Sequence, residues 1–356
     1  MFTVLLLPAC VWAAYSLMHW ALATADWTAV TSNIKVMMVG TFPVEMLGRA
    51  WGWVMSLSFL AGATMGTVVT ARKRLMVACA VTLAVCAVFA AQMNGTTPVN
   101  IVACAALAVG GLWLTSRVPA LRKWLGLVWF IELMTTGVLL LPAGFDKLGG
   151  LMLGVLMTLL ASALSIPLGF LLAFGRRSKM AGLRVICVGY IEVMRSLPLI
   201  LIVYWIWIVT PLVAPSFSVP DALRGLLGFS LFFAAYVAEY VRSGFQAVPK
   251  GQTEAAASLG MTQGQINRDI VLPQALRVVT PALVGNVLDI FNNVPLLFII
   301  GLTEFLRAGQ MVLANPQSAS KTYEIYAFMF IVYLGAASLI TYGARRLEAR
   351  MATGHR

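Results

Sequence analysis

The sequence predicts an all-α, polytopic membrane protein, a transmembrane helical bundle of about ten spans. Of its 356 residues 60% are hydrophobic and only 11% are charged, whereas about a quarter of the residues in a typical globular domain are charged. Long stretches almost without charge recur along the chain, and each is long enough to cross a hydrocarbon layer about 30 Å thick. The predicted spans are 2–24, 51–70, 75–91, 98–116, 124–141, 148–175, 185–211, 223–243, 275–301 and 325–344.

Two of these spans carry further signals. The stretch 2–24 has no basic residue ahead of it, and it is longer than the apolar region of a signal peptide, which has about 7–15 residues. We therefore expect it to be a true span. Trp205 and Trp207 lie near one end of the span 185–211, where an aromatic belt would meet the membrane interface.

Basic residues are distributed unevenly between the loops that connect these spans. Most of the 25 Lys and Arg residues lie in three loops, in a polar segment with its flanks and in the C-terminal tail. The positive-inside rule places these segments in the cytoplasm. An even number of spans then puts both termini on the cytoplasmic side. The net charge of +12 follows from this bias and requires no nucleic-acid partner. The loops are 71–74, 116–123 and 175–184, and the polar segment is 249–281.

The reactive side chains of the sequence do not indicate a catalytic or metal site. No two cysteines have C-x-x-C spacing, and His19 and His355 are the only histidines. Neither G-x-S-x-G nor H-E-x-x-H occurs. We therefore predict a non-catalytic chain without a disulfide framework and without a metal site. The cysteines, all in or beside apolar spans, are Cys10, Cys79, Cys86, Cys104 and Cys187.

The chain is predicted to divide near residue 146 into two parts of different character. The first part, 1–146, would hold five spans and one polar stretch, 26–50. The second part, 147–356, would hold five spans, a polar hairpin (249–281) and most of the polar residues within spans. The two parts show no convincing inverted repeat, which weighs against many secondary-transporter folds.

The polar hairpin lies between two long apolar stretches and is predicted to form a docking surface. Pro249 breaks the preceding helix, and Gly251 allows a turn. Thr253 then caps a short helix that contains 254–257 and is closed by Gly260. Consecutive alanines leave a smooth face on which a partner protein packs closely. The alternative is a solvated loop between two spans, since capped surface helices are common.

The residues of this hairpin resemble a known motif. Glu254-Ala255-Ala256, Gly260 and 270–273 are similar to the EAA loop of the membrane subunits of ATP-binding-cassette (ABC) importers. In that family the loop forms a coupling helix seated in a cleft of the cytoplasmic ATPase. The coupling residues that the resemblance implies are Gly251, Glu254, Ala255, Ala256, Gly260, Ile270, Leu272 and Pro273.

The resemblance extends through almost all of the second part of the chain. The segments 149–177, 190–200 and 234–260 are similar to the polar amino-acid permeases, the membrane subunits of importers fed by a binding protein. This similarity implies a type I ABC importer permease core of five helices. The segment 25–53 looks like the N-terminal extension of general L-amino-acid permease subunits, which carry extra spans before the core.

The family resemblance also implies partners and a location. Such permeases pair with a second homologous permease as a heterodimer, two cytoplasmic ATPases and a periplasmic amino-acid-binding protein in the bacterial inner membrane. ATP and Mg²⁺ are used by the partner ATPase, so this chain is expected to need no cofactor of its own. The absence of a G-x-x-x-x-G-K-[ST] motif agrees with ATP hydrolysis on another chain.

Two segments depart from the family pattern. Ser196 and Leu197 replace the usual Gly-Thr/Val between Arg195 and Pro198. The segment 291–296 reads Phe-Asn-Asn-Val-Pro-Leu, where the family usually has Phe-Lys-Asp/Asn-Thr-Ser-Leu. The second change removes a basic residue and two hydroxyls and adds Pro295. Because this stretch approaches the transport path in such permeases, the family's substrate does not carry over directly.

Charged side chains within spans are candidates for the translocation path. A charge at mid-bilayer costs about 2.5–3.5 kcal/mol and therefore usually faces the bundle interior. Glu192 and Arg195 are three residues apart, so they are predicted to pair on one helix face and to offer an acceptor and a cation to an amino acid. The alternative is a self-neutralised pair that locks the core. Glu239 is a similar candidate, although nearby Arg242 favours a structural pair.

A polar stripe near the end of the fourth core helix is the second candidate. Asn286, Asp289, Asn292 and Asn293 are spaced as on one helix face and are predicted to line the translocation path. The alternative is a hydrogen-bonded seam between helices.

Two other functions remain open from the sequence. An ion- or proton-coupled amino-acid carrier would work alone, with Glu192, Glu239 or Asp289 as its proton site. A non-transporting scaffold would recruit the ATPase without moving a solute. Uptake that an uncoupler abolishes and that is indifferent to ATP would favour the carrier.

Overall fold

The computed structural model describes residues 2–68, 97–213, 215 and 219–352. Regular secondary structure within these ranges is helical, apart from one isolated β-bridge between Gly150 and Glu304. The prediction of an all-α protein is confirmed. The main helices are α1 (Phe2–His19), α2 (Thr28–Val39), α3 (Leu47–Val68), α4 (Thr97–Arg117), α5 (Leu125–Leu140), α6 (Gly150–Arg176), α7 (Ala181–Ser196), α8 (Leu199–Val213), α9 (Asp221–Ala247), α10 (Lys250–Ser258), α11 (Leu272–Asn293), α12 (Phe305–Leu313) and α13 (Thr322–Ala352).

Six helical segments of the described residues are long and apolar enough to cross a membrane. The bent pair of α7 and α8 adds a seventh if the two helices form one span. The predicted number of about ten is therefore higher than the number found, in part because the predicted span 75–91 lies outside the described residues. The six segments are Thr97–Arg117, Pro119–Ala143, Gly150–Arg176, Asp221–Ala247, Gln263–Ile300 and Thr322–Arg346.

Two predicted spans of the first part form helices that are not among these six. The stretch 2–24 consists of α1 and a π-helical turn, and α3 covers most of 51–70. α3 has 22 residues, which corresponds to a length of about 33 Å.

The glycines of α3 allow close packing against α4. A Cβ atom added at Gly62 or Gly66 would overlap the backbone of α4, and one added at Gly111 of α4 would overlap the backbone of α3. Small residues in this arrangement are typical of helix contacts within membranes. On a neighbouring face of α3, Ser56 donates a hydrogen bond of 2.8 Å to the buried carboxylate of Glu132 on α5.

The central helix of the bundle is α9. Gly169 of α6 lies against Val237 of α9, and Gly244 of α9 lies against Val279 of α11. A side chain at either glycine would overlap these valines, so the three helices are in close contact. The largest buried cluster among the described residues lies between α3, α6, α8, α9 and the segment that follows α11, and it includes Phe229.

The predicted span 185–211 is not one straight helix. α7 ends at Ser196 and α8 begins at Leu199, and their axes differ by 111°. Pro198 lies in the break, where it lacks the N–H that a continuous helix would need. The predicted span 185–211 therefore corresponds to two helices with a bend at Pro198.

The polar stretch 26–50 contains a helix that packs on the second part of the chain. Met37 of α2 is fully buried in a cluster with Phe305 of α12 and Phe328 of α13. Where α2 ends, Gly40 has a φ of +64° and approaches Gly149 so closely that a Cβ would lie 2.6 Å from the Cα of that residue. α2 is thus part of the packed bundle, at the end opposite the polar hairpin.

An ion pair joins the two parts of the chain at the same end. The Nζ atom of Lys321 lies 2.7 Å from Oδ2 of Asp26, and the backbone N–H of Asp26 donates a hydrogen bond of 3.4 Å to Glu324 on α13. The neighbouring ammonium group lowers the pKa of Asp26 and the carboxylate raises the pKa of Lys321. The boundary predicted near residue 146 stays a prediction, and contacts across it are extensive.

Candidate functional site

The polar hairpin begins with α10, the helix Lys250–Ser258. Pro249 occupies the N-cap position with an extended backbone, so the helix starts directly after it. Gly251 and Thr253 therefore lie inside the helix, and the Thr253 hydroxyl donates a hydrogen bond of 2.7 Å to the carbonyl of Lys250. The predictions of a turn at Gly251 and of a cap at Thr253 are wrong, because the helix starts after Pro249, four residues earlier than predicted.

Gly260 closes α10 in the way that the sequence predicts. Its φ of +79° is in the left-handed region, which glycine adopts without the steric cost of a Cβ. The N–H of Gly260 donates to Ala257, and the N–H of Met261 donates to Ala256. These two bonds form a Schellman motif, which satisfies carbonyls at the end of the helix.

Only one side of α10 is anchored to the rest of the hairpin. Ala256 is buried in a small cluster with Ile266 and Val271. The opposite side presents Glu254 and Ala255 to the outside, and Leu259 is 83% exposed. The outer side of α10 is therefore accessible along its length, and Leu259 adds an exposed apolar side chain at its end.

The return arm of the hairpin is fixed by its own capping interactions. Thr262 and Gln265 form a capping box, in which the side chain of each residue bonds the backbone N–H of the other. A π-helical turn at Ile266–Val271 follows and leads into α11 at Leu272. Of the predicted coupling residues in this arm, Ile270 and Leu272 are half-buried and Pro273 is exposed. The arm therefore mainly holds α10 in place.

The sequence reasoning missed three residues of this surface. Leu259 is the most exposed apolar residue of the hairpin, while Ile266 and Val271 form the cluster under Ala256. An isolated apolar residue next to the helix-closing glycine was a usable signal for Leu259. The π-helical turn shifts the positions that face inward, so no helical periodicity indicated Ile266 and Val271 together.

Glu239 is the centre of a charge network above the hairpin, between α6, α7 and α9. Its carboxylate contacts Arg176, lies 2.8 Å from Nη2 of Arg242 and lies 3.6 Å from Nη1 of Arg195. The Arg195 guanidinium also lies over the ring of Tyr236, at 5.9 Å from the centroid. The predicted pair of Glu239 with Arg242 is confirmed, and two further arginines share the same carboxylate.

The predicted pair of Glu192 with Arg195 is not formed. Glu192 has a side chain that is 59% exposed, and its closest cation is Arg176 at 4.0 Å. Arg195 binds Glu239 instead, whose side chain is only 13% exposed. The electrostatic attraction between a guanidinium and a poorly solvated carboxylate is stronger than that to an exposed carboxylate. Arg195 therefore pairs with Glu239 rather than with Glu192.

The predicted polar stripe of α11 lies at the edge of the buried face of that helix. Asn286 is 1% exposed, whereas Asp289 and Asn292 are exposed and Asn293 is half-buried. The amide of Asn293 donates a hydrogen bond of 2.8 Å to the carbonyl of Asp289. The four residues are therefore not equivalent, and Asn286 is the one that points into the bundle.

Three core helices each bury a polar group without a hydrogen-bond partner among the described residues. These groups are the amide of Asn286 on α11 and the hydroxyls of Ser162 on α6 and Ser230 on α9. Buried polar groups are rarely left unpaired, so each such group calls for an explanation. Together they provide hydrogen-bonding capacity inside the bundle that the chain itself does not use.

Glu304 is a buried carboxylate that the sequence reasoning did not single out. It caps the N-terminus of α12 by accepting hydrogen bonds of 2.7 Å from the N–H of Leu306 and 2.8 Å from the N–H of Arg307. Tyr333 of α13 donates a third bond of 3.3 Å. Burial raises the pKa of Glu304 in spite of these donors. No capping rule favours glutamate at this position, so the sequence carried no signal for it.

Comparison with known proteins matches this arrangement to one family. Residues 165–353 match the family described as "Binding-protein-dependent transport system inner membrane component". This segment contains the whole polar hairpin, the charge network and α11. The stand-alone carrier receives no support from this match.

Individual relatives are similar over the same part of the chain. The inner membrane amino-acid ABC transporter permease protein YhdY of Escherichia coli is 37% identical over 207 residues, which are 58% of this chain and 56% of that protein. The glutamate/glutamine/aspartate/asparagine transport system permease protein BztC of Rhodobacter capsulatus is 33% identical over 213 residues, which are 59% of this chain and 49% of that protein. The chain thus spans about half the length of these two relatives.

A shorter relative and a solved structure are covered almost completely. The glutamate/aspartate import permease protein GltK of Escherichia coli is 30% identical over 206 residues, which are 56% of this chain and 92% of GltK. The crystal structure of an amino acid ABC transporter with histidines matches 64% of this chain and 98% of its own chain, with a TM-score of 0.52 and 25% identity. Since the family match covers more than half of the sequence, the chain belongs to the family of inner membrane components of binding-protein-dependent transport systems.

Proposed function

We propose that the protein is the transmembrane permease subunit of an ATP-driven ABC importer that translocates amino acids delivered by a periplasmic binding protein. The single observation that carries the proposal is α10, a short helix held on one side and exposed on the other, between two helices of the bundle core. Membership of the transport family and the amino-acid permeases among its relatives support the substrate class.

The proposed orientation places the polar hairpin and both termini in the cytoplasm. Most basic residues lie in the predicted loops 71–74, 116–123 and 175–184, in the hairpin with its flanks and in the C-terminal tail, and the positive-inside rule assigns such segments to the cytoplasm. ATP hydrolysis then takes place on a separate ATPase dimer that reaches the hairpin from the cytoplasm. A second homologous permease completes the membrane unit, and ATP and Mg²⁺ belong to the ATPase.

Movement of α10 is transmitted directly to the bundle. α10 follows α9 after a link of only two residues, 248–249. Gly244 near the end of α9 packs closely against Val279 of α11. α9 and α11 therefore respond to the ATPase as one unit. Gly169 passes the movement on to α6, because it packs on Val237 in the same way. Alternating access follows if this unit tilts relative to the rest of the two-permease membrane unit.

The proposed path for the amino acid passes the buried Asn286. An amide without a partner inside the bundle offers both a donor and an acceptor to a polar solute or to the water that accompanies it. Asp289, Asn292 and Asn293 continue along the same helix toward the opposite end. Glu192, Arg195 and Glu239 lie toward the hairpin end, where the Glu239 network would separate when the path opens to the cytoplasm.

The experiment that tests the function is reconstitution of the chain with its ATPase and second permease in lipid. ATPase activity is measured with and without the binding protein and a mixture of amino acids. Stimulation that requires both additions is the expected result. A stable complex that no amino acid stimulates would contradict the substrate class, and failure to form any complex would contradict the assignment of α10.

A further inference from the structure

A basic pocket and an apolar groove meet at the hairpin end of α6 and α9. The groove, of about 680 Å³, runs between α6, α7 and α9. Phe174 lines this groove, and its ring lies 5.8 Å from the ring of Phe245 in the pocket. A charged cavity and an apolar one therefore adjoin at two aromatic rings, which are tilted by 57° to each other. The pocket, of about 340 Å³, is lined by Arg176, Arg177, Arg242, Phe245 and Gln246.

The pocket carries more positive charge than the nearby carboxylates neutralise. Glu239 shares its carboxylate among Arg176, Arg195 and Arg242, and the exposed carboxylate of Glu192 lies 4.0 Å from Arg176. Arg177 has no acidic partner within 4 Å among the described residues, and its guanidinium lies 4.5 Å from the centroid of the Phe245 ring. Guanidinium groups in such numbers favour a phosphate, which accepts several charge-assisted hydrogen bonds at once.

The groove gives this anion site an apolar continuation. Leu171 and Phe174 line it and are exposed. Leu168, which also lines it, precedes Arg176 by a distance of about 12 Å along the helix axis. Because α6 ends at Arg176, the groove extends from the guanidinium groups back along α6, toward the middle of the span. A free phosphate or an acidic peptide would leave the groove empty, whereas an acyl chain would fill it.

We propose that the pocket and the groove together bind one anionic phospholipid of the cytoplasmic leaflet. Its phosphate lies among Arg176, Arg177 and Arg242, and one acyl chain lies in the groove beside Phe174. Basic pockets between helices on the cytoplasmic side of a membrane are suited to such headgroups. The proposal rests on the orientation proposed above and is independent of the transported solute.

The test compares the lipids retained by the complete transporter complex in three forms. Complexes with the wild-type chain, Arg177→Gln or Arg122→Gln are purified from bilayers of phosphatidylethanolamine and phosphatidylglycerol, and native mass spectrometry counts the bound lipids. Arg122 is an exposed arginine in another basic loop and lines neither cavity, so it is the matched control. Wild type and Arg122→Gln should retain one more phosphatidylglycerol per copy of this chain than Arg177→Gln.

Three further measurements separate the contributions of the headgroup and of the acyl chain. Dioleoyl-phosphatidylglycerol should bind Arg177→Gln about tenfold more weakly than wild type, as expected for the loss of about 1.4 kcal/mol. Phe174→Ala should weaken binding of the dioleoyl lipid and leave binding of the dihexanoyl lipid unchanged. Inorganic phosphate at millimolar concentration should displace neither lipid from the wild type.

Three results would overturn the proposal. Equal phosphatidylglycerol retention by all three complexes would show that Arg177 has no part in lipid binding. Complete displacement by inorganic phosphate would make the pocket a site for soluble anions. Equal loss of bound phosphatidylglycerol in Arg177→Gln and Arg122→Gln would show that lipid retention depends only on net surface charge. A failed transport assay would leave these readouts unaffected, so the proposed function is tested separately.

Discussion

Arg195 at the end of α7 forms an ion pair with Glu239 of α9, with 3.6 Å between Nη1 and Oε2. The pair lies directly before the break at Pro198, where the chain turns by 111° between α7 and α8. α7 is otherwise amphipathic, with an exposed apolar face that includes Ile186. The pair therefore fixes the orientation of α7 relative to α9.

Glu239→Gln should destabilise the purified complex. Three guanidinium groups lose their shared carboxylate, and a hydrogen bond to a charged group contributes about 1.5–3 kcal/mol. We expect a loss of roughly 2 kcal/mol, seen as a lower midpoint of thermal denaturation. Glu192→Gln is the control, because its exposed side chain lies 4.0 Å from Arg176, and such pairs contribute about 0–1 kcal/mol. Equal shifts for both variants would contradict the central role of Glu239.

Gly260→Ala should weaken association with the ATPase while membrane insertion stays normal. A Cβ in the left-handed region costs about 1–2 kcal/mol, so the end of α10 and the position of Leu259 are disturbed. Gly264→Ala is the matched control in the same hairpin, since its φ is not positive and nothing lies within 4 Å of an added Cβ. Co-purification of the ATPase measures the effect. If Gly260→Ala retained the full amount of ATPase, its proposed role in coupling would be wrong.

Leu259→Asn should reduce ATPase affinity at least tenfold. Burial of a leucine side chain in an interface contributes about 1.5–3 kcal/mol, and 1.4 kcal/mol corresponds to a factor of about ten. Met180→Asn tests the same kind of substitution at another exposed apolar residue, in the turn between α6 and α7. Binding of the purified ATPase to the permease in nanodiscs gives the affinities. An unchanged affinity for Leu259→Asn would exclude this residue from the interface.

Glu304→Gln should change the pH dependence of stability. Burial raises the pKa of Glu304 above its ordinary value of 4.5, so the folded protein holds this proton more tightly than the unfolded chain does. The stabilisation is complete below about pH 4.5 and is lost as the pH rises through the higher pKa of the folded state. Thermal midpoints of wild type should therefore fall, relative to those of Glu304→Gln, as the pH rises from 4.5. Parallel curves for the two proteins would contradict the pKa shift.

Gly62→Leu should destabilise the packing of α3 on α4. A side chain there overlaps the backbone at Ala108, which cannot move away without separating the helices. Gly52→Leu, on the same helix, is the control because nothing lies within 4 Å of its Cβ. The amount of protein in the membrane and its resistance to proteolysis measure the effect. Equal levels for both variants would mean that α3 and α4 do not depend on this contact.

Local chemistry made several features predictable from the sequence. Pro198 favours a helix break and Gly260 favours the end of a helix, because proline lacks a backbone N–H and glycine adopts a positive φ without a steric cost. The apolar stretches that follow residue 146 appear as helices close to their predicted bounds. The predicted start of α10 is four residues too late, because Thr253 is a good cap in isolation whereas the helix begins directly after Pro249.

Features that depend on neighbours from other helices were not predictable. Arg195 had a partner in its own helix at Glu192, and only the packing of α7 on α9 shows that Glu239 is the better one. The spacing of the stripe on α11 did not reveal that Asn286 alone points inward. Glu304 gave no signal at all, because its burial results from contacts with α13.

The contact between Asp26 and Glu324 joins residues that are 298 positions apart. In a chain that enters the membrane as the ribosome makes it, α2 leaves the ribosome long before its neighbours α12 and α13 exist. Met37 therefore stays without its final surroundings until almost the whole chain has been synthesised. The cluster around Met37 can form only after Phe305 and Phe328 have been synthesised. A chain that is terminated prematurely would therefore leave the apolar face of α2 exposed, and we expect quality-control proteases to degrade it.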